Sequence, residues 1–324
     1  MSTLTRIQRF TAVALITSVL LSSPWAAAVA QQSALPTAEP RPFATPEEAS
    51  RALIGALRSG SLKMLTDVLG SDARPLVSTA DFMADRAKMT AVVKEFETAH
   101  RLEYEGDAKA ILHVGTDDRP LPIPIVRSRG KWTFDTRAGK EAILGQRIRD
   151  NEQSAVQLCV AYGDAQREYH REPHNERGGT LQYAQKIRSN PGLQDGLYWD
   201  AAPNVPSSPL DPLAARAGVD GYKRRGAGAG PSPFHGYYFR ILTSQGPDAP
   251  GGAVDYVVRG RMTGGFAMVA FPAEYRVTGT HTFIVSHDGI VYQRDLGPKT
   301  TTLGREMKAY NPDSTWTSVD APAR

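Results

Sequence analysis

The stretch "NEQSAVQLCVAYGDAQREYHRE", Asn151 to Glu172, sets Ala155, Cys159, Tyr162, Ala165 and Tyr169 three or four residues apart, which predicts one amphipathic helix with a single apolar face. Ile143, Leu144 and Ile148 carry that face backward, so the helix is expected to begin soon after Asp135. Pro173 marks its end. A helix this long in mid-chain needs a body to lie against. The C-terminal part of the chain supplies one: "GYYFRIL", "AVDYVV", "GGFAMVAFP" and "THTFIVSHDGIVYQRDL" are rich in aromatic and β-branched residues, and His287-Asp288-Gly289 has the make-up of a hairpin turn. An antiparallel sheet against the helix would bury its stripe. Between the two, "TLQYAQKI" is expected to form a short helix, and the Pro- and Gly-rich run from Asp200 to Gly236, with "DPLAARAG" as its one hint of order, a long loop.

Ahead of the long helix the signals are equally local. In "TPEE", Thr45 suits an N-cap, Pro46 the first helical position and Glu48 a capping-box acid, with Ala49, Ala52, Leu53, Ala56 and Leu57 facing inward and Gly60 as the stop. Ser61 can cap a second helix carrying Leu62, Leu65 and Leu69. A third is predicted from Met83 to about His100. The period then falls to two in Leu102–Tyr104, "AILHVG", "PIPIVRS" and "KWTFDT", separated by turn residues, which predicts an antiparallel meander. The fold class is therefore α+β: N-terminal helices plus an antiparallel sheet, a long connecting helix and a C-terminal antiparallel sheet.

Composition bounds the rest. At 41% hydrophobic and 22% charged, 324 residues suffice for ordinary cores and exclude a disordered chain. The start pairs Arg6 and Arg9 with an apolar run and then Ala28-Val29-Ala30, the pattern of a cleavable export signal; Pro24 interrupts the run before it reaches the roughly 20 residues a membrane span needs. The expected organisation is a signal peptide over 1–30, a disordered linker over 31–43, an N-terminal lobe over 44–136, the long helix with a second lobe over 137–298, and a fraying tail over 299–324 after one helical turn near Leu303 and Met307. Export to the periplasm or the medium is therefore expected, with no transmembrane anchor once the signal is removed. The formal charge of +4 falls to +2 without Arg6 and Arg9, and the one basic cluster, Lys223 to Arg225, sits in a Gly-rich stretch, so no nucleic-acid partner is expected. Cys159 is the sole cysteine, which rules out an intramolecular disulfide and suits a small buried hydrophobe.

The order "NEQSAVQLCVAYGDAQREY", "LQYAQ", "HGYYFRIL", "AMVAFPAEYRVTGTHTFIVSHDGIVYQRD" resembles the globular heads of type IV pilins and type II secretion pseudopilins, and the first lobe, ending in "GKWTFD", is similar in element order to the cone-shaped nuclear-transport-factor-2-like fold, which implies a pocket. The whole mature chain, with "FATPEEA", "RPLPIPIVR" and "GGFAMVAFPAEY", resembles the secreted bacterial family known as domain of unknown function 2950. That resemblance implies an architecture and carries no activity with it. One departure from pilins stands out. The segment "RAGKEAILGQRIRD" brings Arg137, Lys140, Glu141, Arg147, Arg149 and Asp150 where a pilin has its membrane half, and each charge at a bilayer centre costs about 2.5–3.5 kcal/mol. This helix must stay in water or against protein.

Chemical motifs are sparse. In "HREPH", His170 to His174, the glutamate is displaced from the zinc-peptidase position and Pro173 interrupts the turn, so no metal is expected there. "RGAGAGP", Arg225 to Pro231, lacks the strand and helix of a dinucleotide site, and no nucleophile elbow or phosphate loop occurs. His281, His287 and Asp288 share a strand-end neighbourhood in which a site is conceivable. In the first lobe Asp81, Asp85, His100 and Tyr104 either converge at the mouth of a ligand pocket or serve as helix caps and surface groups. Tyr237, Tyr238, Phe239, Phe266 and Phe271 form either a binding platform or core. The expectation is a non-catalytic envelope binding or assembly module, without cofactor, that recognises envelope proteins or a surface polymer. The alternative is a small-molecule binder or enzyme using a pocket in the first lobe.

Overall fold

The computed structural model describes residues 38–174, 179–200, 205–210 and 233–319. The expected signal peptide, most of the linker, "DPLAARAG", the Lys223–Arg225 cluster, "RGAGAGP" and the last five residues lie outside the described residues. Six α-helices are described: α1 (Pro46–Ser59), α2 (Leu62–Leu69), α3 (Arg74–Val77), α4 (Phe82–Thr98), α5 (Thr136–Tyr169) and α6 (Thr300–Glu306). Thr45 caps α1 by accepting from the Glu48 amide at 3.2 Å, and the Glu48 carboxylate reaches back to the Ala44 amide, one residue before the cap, at 3.0 Å, so hydroxyl and carboxylate each satisfy an exposed amide. Gly60 stops the helix in the left-handed region, φ +65°. Asp81 caps α4 and Asp135 caps α5.

The first sheet is antiparallel in the order β1 (His100–Glu105), β2 (Lys109–Val114), β4 (Ile125–Ser128), β5 (Lys131–Phe134), with β3 (Arg119–Pro120) against β2. Its inner residues join α1 and α2 in a cluster built on Leu53, Leu65, Leu69, Ala110, Ile125 and Phe134. Residues 38–43 are extended, as their prolines require, but docked: the Arg41 amide donates to Asp67, and buried Phe43 exchanges backbone hydrogen bonds with Trp132. The residues before Thr45 thus close the edge of the sheet at β5.

The second sheet is antiparallel in the order β15 (Thr317–Ser318), β13 (Val291–Arg294), β12 (Thr282–Ser286), β11 (Ala267–Pro272), β6 (Tyr237–Leu242), with smaller pairings among β7 (Ser244–Gln245), β8 (Val254–Asp255), β9 (Val257–Val258), β10 (Arg261–Met262) and β14 (Ala309–Tyr310). The C-terminal half of α5 lies on this sheet, and Ala155, Cys159, Tyr162, Ala165 and Tyr169 are buried against β11 and β12. The N-terminal half of α5 adds Ile143 and Leu144 to the first cluster. A single helix therefore serves two hydrophobic clusters. The architecture is the expected α+β one: helices, sheet, long helix, sheet.

Two local expectations fail. "TLQYAQKI" is not a helix, because the Gln166 side chain on α5 takes both backbone groups of Ala184, donating to its carbonyl and accepting from its amide at 2.8 Å each, while the Tyr183 amide goes to Met262. Those groups cannot also serve an intrahelical ladder. The tail after α6 does not fray within the described residues, since Ala309–Tyr310 pairs with β7 and Thr317–Ser318 with β13, with Tyr310 fully buried.

Candidate functional site

The start of α4 carries two buried, hydrogen-bonded carboxylates, Asp81 at the N-cap and Asp85 within the first turns. Asp81 accepts from the Ala84 amide at 3.1 Å through one oxygen and from the Gly236 amide at 2.9 Å through the other, tying the cap of α4 to the residue that leads into β6. Gly236 has φ +72°, and a Cβ there would stand 2.6 Å from the Asn151 amide nitrogen and 2.7 Å from Thr278, so the close approach needs glycine. One turn on, Asp85 accepts from the Thr79 amide at 2.6 Å and hydroxyl at 3.0 Å. Nearby, the Glu274 carboxylate accepts from the Ala80 amide.

Beyond Asp85 a cavity of about 570 Å³ opens between α1, α3, α4, α5 and the chain from Arg119 to Ile123. Its body is aliphatic: Leu53, Leu57, Leu76, Met89, Val92, Leu121, Ile123 and Ile143 line it. Its polar groups are Asp85 and Lys88 on α4, Gln146, Arg147 and Asp150 on α5, and Arg119 on β3. Lys88, Gln146, Asp150 and Arg119 are exposed and form the mouth, whereas Arg147 is buried. The volume is that of an ordinary small-molecule site, and apolar walls with a few placed polar groups are the usual make-up of one.

The electrostatics of the mouth are set by how its groups are paired. Arg147 donates through Nη1 to the Pro75 carbonyl at 2.7 Å and through Nη2 to the Leu76 carbonyl, so it is hydrogen-bonded to neutral acceptors. Burial lowers its pKa, opposed by the charges of Asp85 and Glu274. Lys88 makes no hydrogen bond or ion pair among the described residues; the protein packed around its ammonium and then the neighbouring Arg147 charge lower its pKa, opposed by Asp150, Asp85 and Asp81. Asp150 accepts from the Gln146 amide at 2.7 Å, and Arg119 is ion-paired with Glu95. His235, in the left-handed region at φ 45°, has its pKa lowered by burial and by Lys88, against the pull of Asp81.

Of the four residues singled out in the first lobe, Asp81 at the cap of α4 and Asp85 one turn into it lie together, and Asp85 lines the cavity. His100 and Tyr104 lie on β1 and do not line it. The His100 ring stacks on Phe96 at 3.7 Å with Nδ1 2.9 Å from the Phe96 carbonyl, and Tyr104 donates to Glu47 at 2.6 Å, which raises the phenol pKa and lowers that of the carboxylate. Lys88, Arg119, Gln146, Arg147 and Asp150 are cavity groups that sequence reasoning did not place. Arg147 carries a legible signal: with Ile143, Leu144 and Asn151 it keeps the three-to-four spacing of the buried stripe, a charge at a core position.

The other candidates resolve individually. His281 and His287 flank the five-residue β12 and so stand about 20 Å apart, at opposite strand ends. His281 pairs with Glu152, and Asp288 binds its own turn at Ile290 and accepts from Tyr310. In "HREPH" the His170 ring stacks on Tyr183 and the His174 ring on Tyr169. Burial pushes the Cys159 thiol up to about 12, so it is a packed thiol at neutral pH. Tyr237, Phe266 and Phe271 are buried in the second cluster, and Tyr238 and Phe239 pack against it.

The chain belongs to the family described as Protein of unknown function (DUF2950), whose model matches residues 40–319. No curated protein and no solved structure matches it. Among the described residues, no helix is long and apolar enough to cross a membrane.

Proposed function

We propose that this member of the family is an exported, non-catalytic binding module of the bacterial envelope that takes an amphipathic small molecule into the first-lobe cavity. The observation that carries the proposal is the cavity itself: an aliphatic body of about 570 Å³ beneath a charged, exposed mouth. A few placed polar groups around an aliphatic body are the make-up of a binding site, which favours binding. The leader of residues 1–30 supports export, and the pilin-like order of the second half supports an envelope protein or surface polymer as a further partner.

Titration of the purified protein with the amphiphilic dye 1-anilinonaphthalene-8-sulfonate tests the cavity. Saturable binding to one site is expected, and Val92→Phe, which places a ring in the cavity, is expected to abolish it while the fold persists. Absence of saturable binding, or binding that the Val92 variant leaves intact, would remove the proposal.

A further inference from the structure

We infer, resting on the proposed binding role of the cavity, that its occupant is an acyl-chain monocarboxylate whose head is received by the Lys88 ammonium, with the Arg147 guanidinium behind it. The polar groups of the mouth differ in what they have left to offer. Asp85 is held by the Thr79 amide and hydroxyl, Asp150 by Gln146, and Arg119 by Glu95. Lys88 is held by nothing among the described residues. Arg147 donates to two carbonyls, which take one hydrogen bond from each Nη without neutralising its charge. Two cations, one on α4 and one on α5, each with no carboxylate in hydrogen-bond contact, therefore stand among the polar groups of a largely aliphatic hollow, with Asp85 and Asp150 as the nearby countercharges. Neighbouring carboxylates lend Lys88 countercharge at a distance but no acceptor, and an incoming carboxylate supplies that acceptor in a charge-assisted hydrogen bond.

The number of negative charges is set by the same residues. Phosphate groups are commonly held by bidentate arginine forks, backbone amides or helix N-termini. Here both Nη atoms of Arg147 point to the Pro75 and Leu76 carbonyls, so the fork is already occupied. Asp85 and Asp150 also line the cavity, and their charges would repel a second negative charge on the ligand. One ammonium as donor, one buried guanidinium as background field and two carboxylates as a limit on charge suit a singly charged head. The walls formed by Leu57, Val92, Leu121 and Ile143 suit an unbranched hydrocarbon chain.

Three probes of equal chain length separate head from body: laurate, dodecanol and dodecylamine, each measured on the full chain by displacement of the anilinonaphthalene dye. Laurate is expected to bind about tenfold more tightly than dodecanol, on the order of one charge-assisted hydrogen bond, with dodecylamine weakest. In Lys88→Met the laurate preference is expected to collapse to about twofold or less. Since Lys88 is exposed, this variant should fold as the parent does. Dodecanol or dodecylamine binding as tightly as laurate, or a laurate preference unchanged in Lys88→Met, overturns the assignment of the head while leaving the cavity as a binding site. If none of the three displaces the dye, the ligand class proposed for the cavity falls together with its head.

Discussion

The two halves of α5 face opposite solutions to the same packing problem. Its C-terminal half rests on β11 and β12, where every residue from Ala267 to Pro272 and from Thr282 to Ser286 is buried. Space there is exhausted: a Cβ on Gly279 would fall 2.1 Å from the Tyr237 hydroxyl, and one on Gly304 would fall 2.3 Å from the Phe271 ring. The N-terminal half borders the cavity, where Leu57, Val92, Leu121 and Ile143 are only half-buried. Protein interiors otherwise pack as densely as organic crystals, and a chain that fills one cluster completely has the means to fill the other. The hollow is therefore built into the first lobe, with α5 as its back wall.

The comparison breaks most severely if the filled half proves tolerant. Phe283→Ala removes a fully buried ring that packs near Tyr237, and a loss of about 3–5 kcal/mol is expected in urea denaturation. Leu57→Ala, the same kind of truncation facing open space, should cost clearly less. Equal losses would mean that the two halves are equally packed. Next in size is the joint between them. Asp81→Ala strips α4 of its cap and leaves the buried Gly236 amide without an acceptor, for an expected loss of about 1–3 kcal/mol. Faster hydrogen exchange at Gly236 would accompany it. A neutral Asp81→Ala would show that the carboxylate does not tie α4 to β6.

How much of this was legible depended on the range of the interactions involved. Thr45, Glu48, Gly60 and Ser61 announce α1 and α2 because caps act within four residues, the partial alternation of "AILHVG" announces a strand, and "FIVS" announces one through its aromatic and β-branched residues, being buried throughout. "TLQYAQKI" misled because its fate is decided by Gln166, 18 residues from Ala184 along the chain. Caps also explain the site residues: Asp81 and Asp85 are recognisable at a helix start, whereas the cavity depends on how far α4 stands from α5 and on Leu121 and Ile123 between them. No local pattern encodes a gap. Arg147 on the buried stripe was the nearest thing to a sign of it.

A gentler test sharpens the contrast from the hollow side. Val92→Phe should change stability by no more than about 1 kcal/mol in either direction, because the added ring enters empty volume. Enlarging Ala270, buried within β11, by Ala270→Leu should cost about 1–3 kcal/mol through forced displacement of its neighbours. Thermal denaturation of the pair measures the difference, and similar losses at both positions would mean that the cavity closes up in solution.

The smallest effect is expected where α5 holds the second lobe through a titrating pair. Glu152 accepts from the Thr280 amide at 2.8 Å and the His281 amide at 3.0 Å, and its carboxylate lies 3.2 Å from His281 Nδ1. The hydrogen bond to Glu152 raises the His281 pKa above the ordinary 6.5, against partial burial and with help from Glu152 and Asp295 as charges. For Glu152, burial works upward, but the bonds from His281 and the two amides outweigh it and bring the carboxyl below 4.5. The histidine's contribution is therefore complete below pH 6.5 and is lost as pH rises through its raised folded value. That of the glutamate is complete above pH 4.5 and is lost as pH falls through its lowered one. Both are present together between about pH 4.5 and 6.5. The Tm gap between the parent and Glu152→Gln, which keeps a carbonyl acceptor but loses the charge, should be widest in that window and narrow by pH 9. High salt should shrink it, since His281 is partly exposed. A gap of constant width from pH 5 to 9 would show that the Glu152 carboxylate works through the 280–281 amides and gains nothing from the charge of His281.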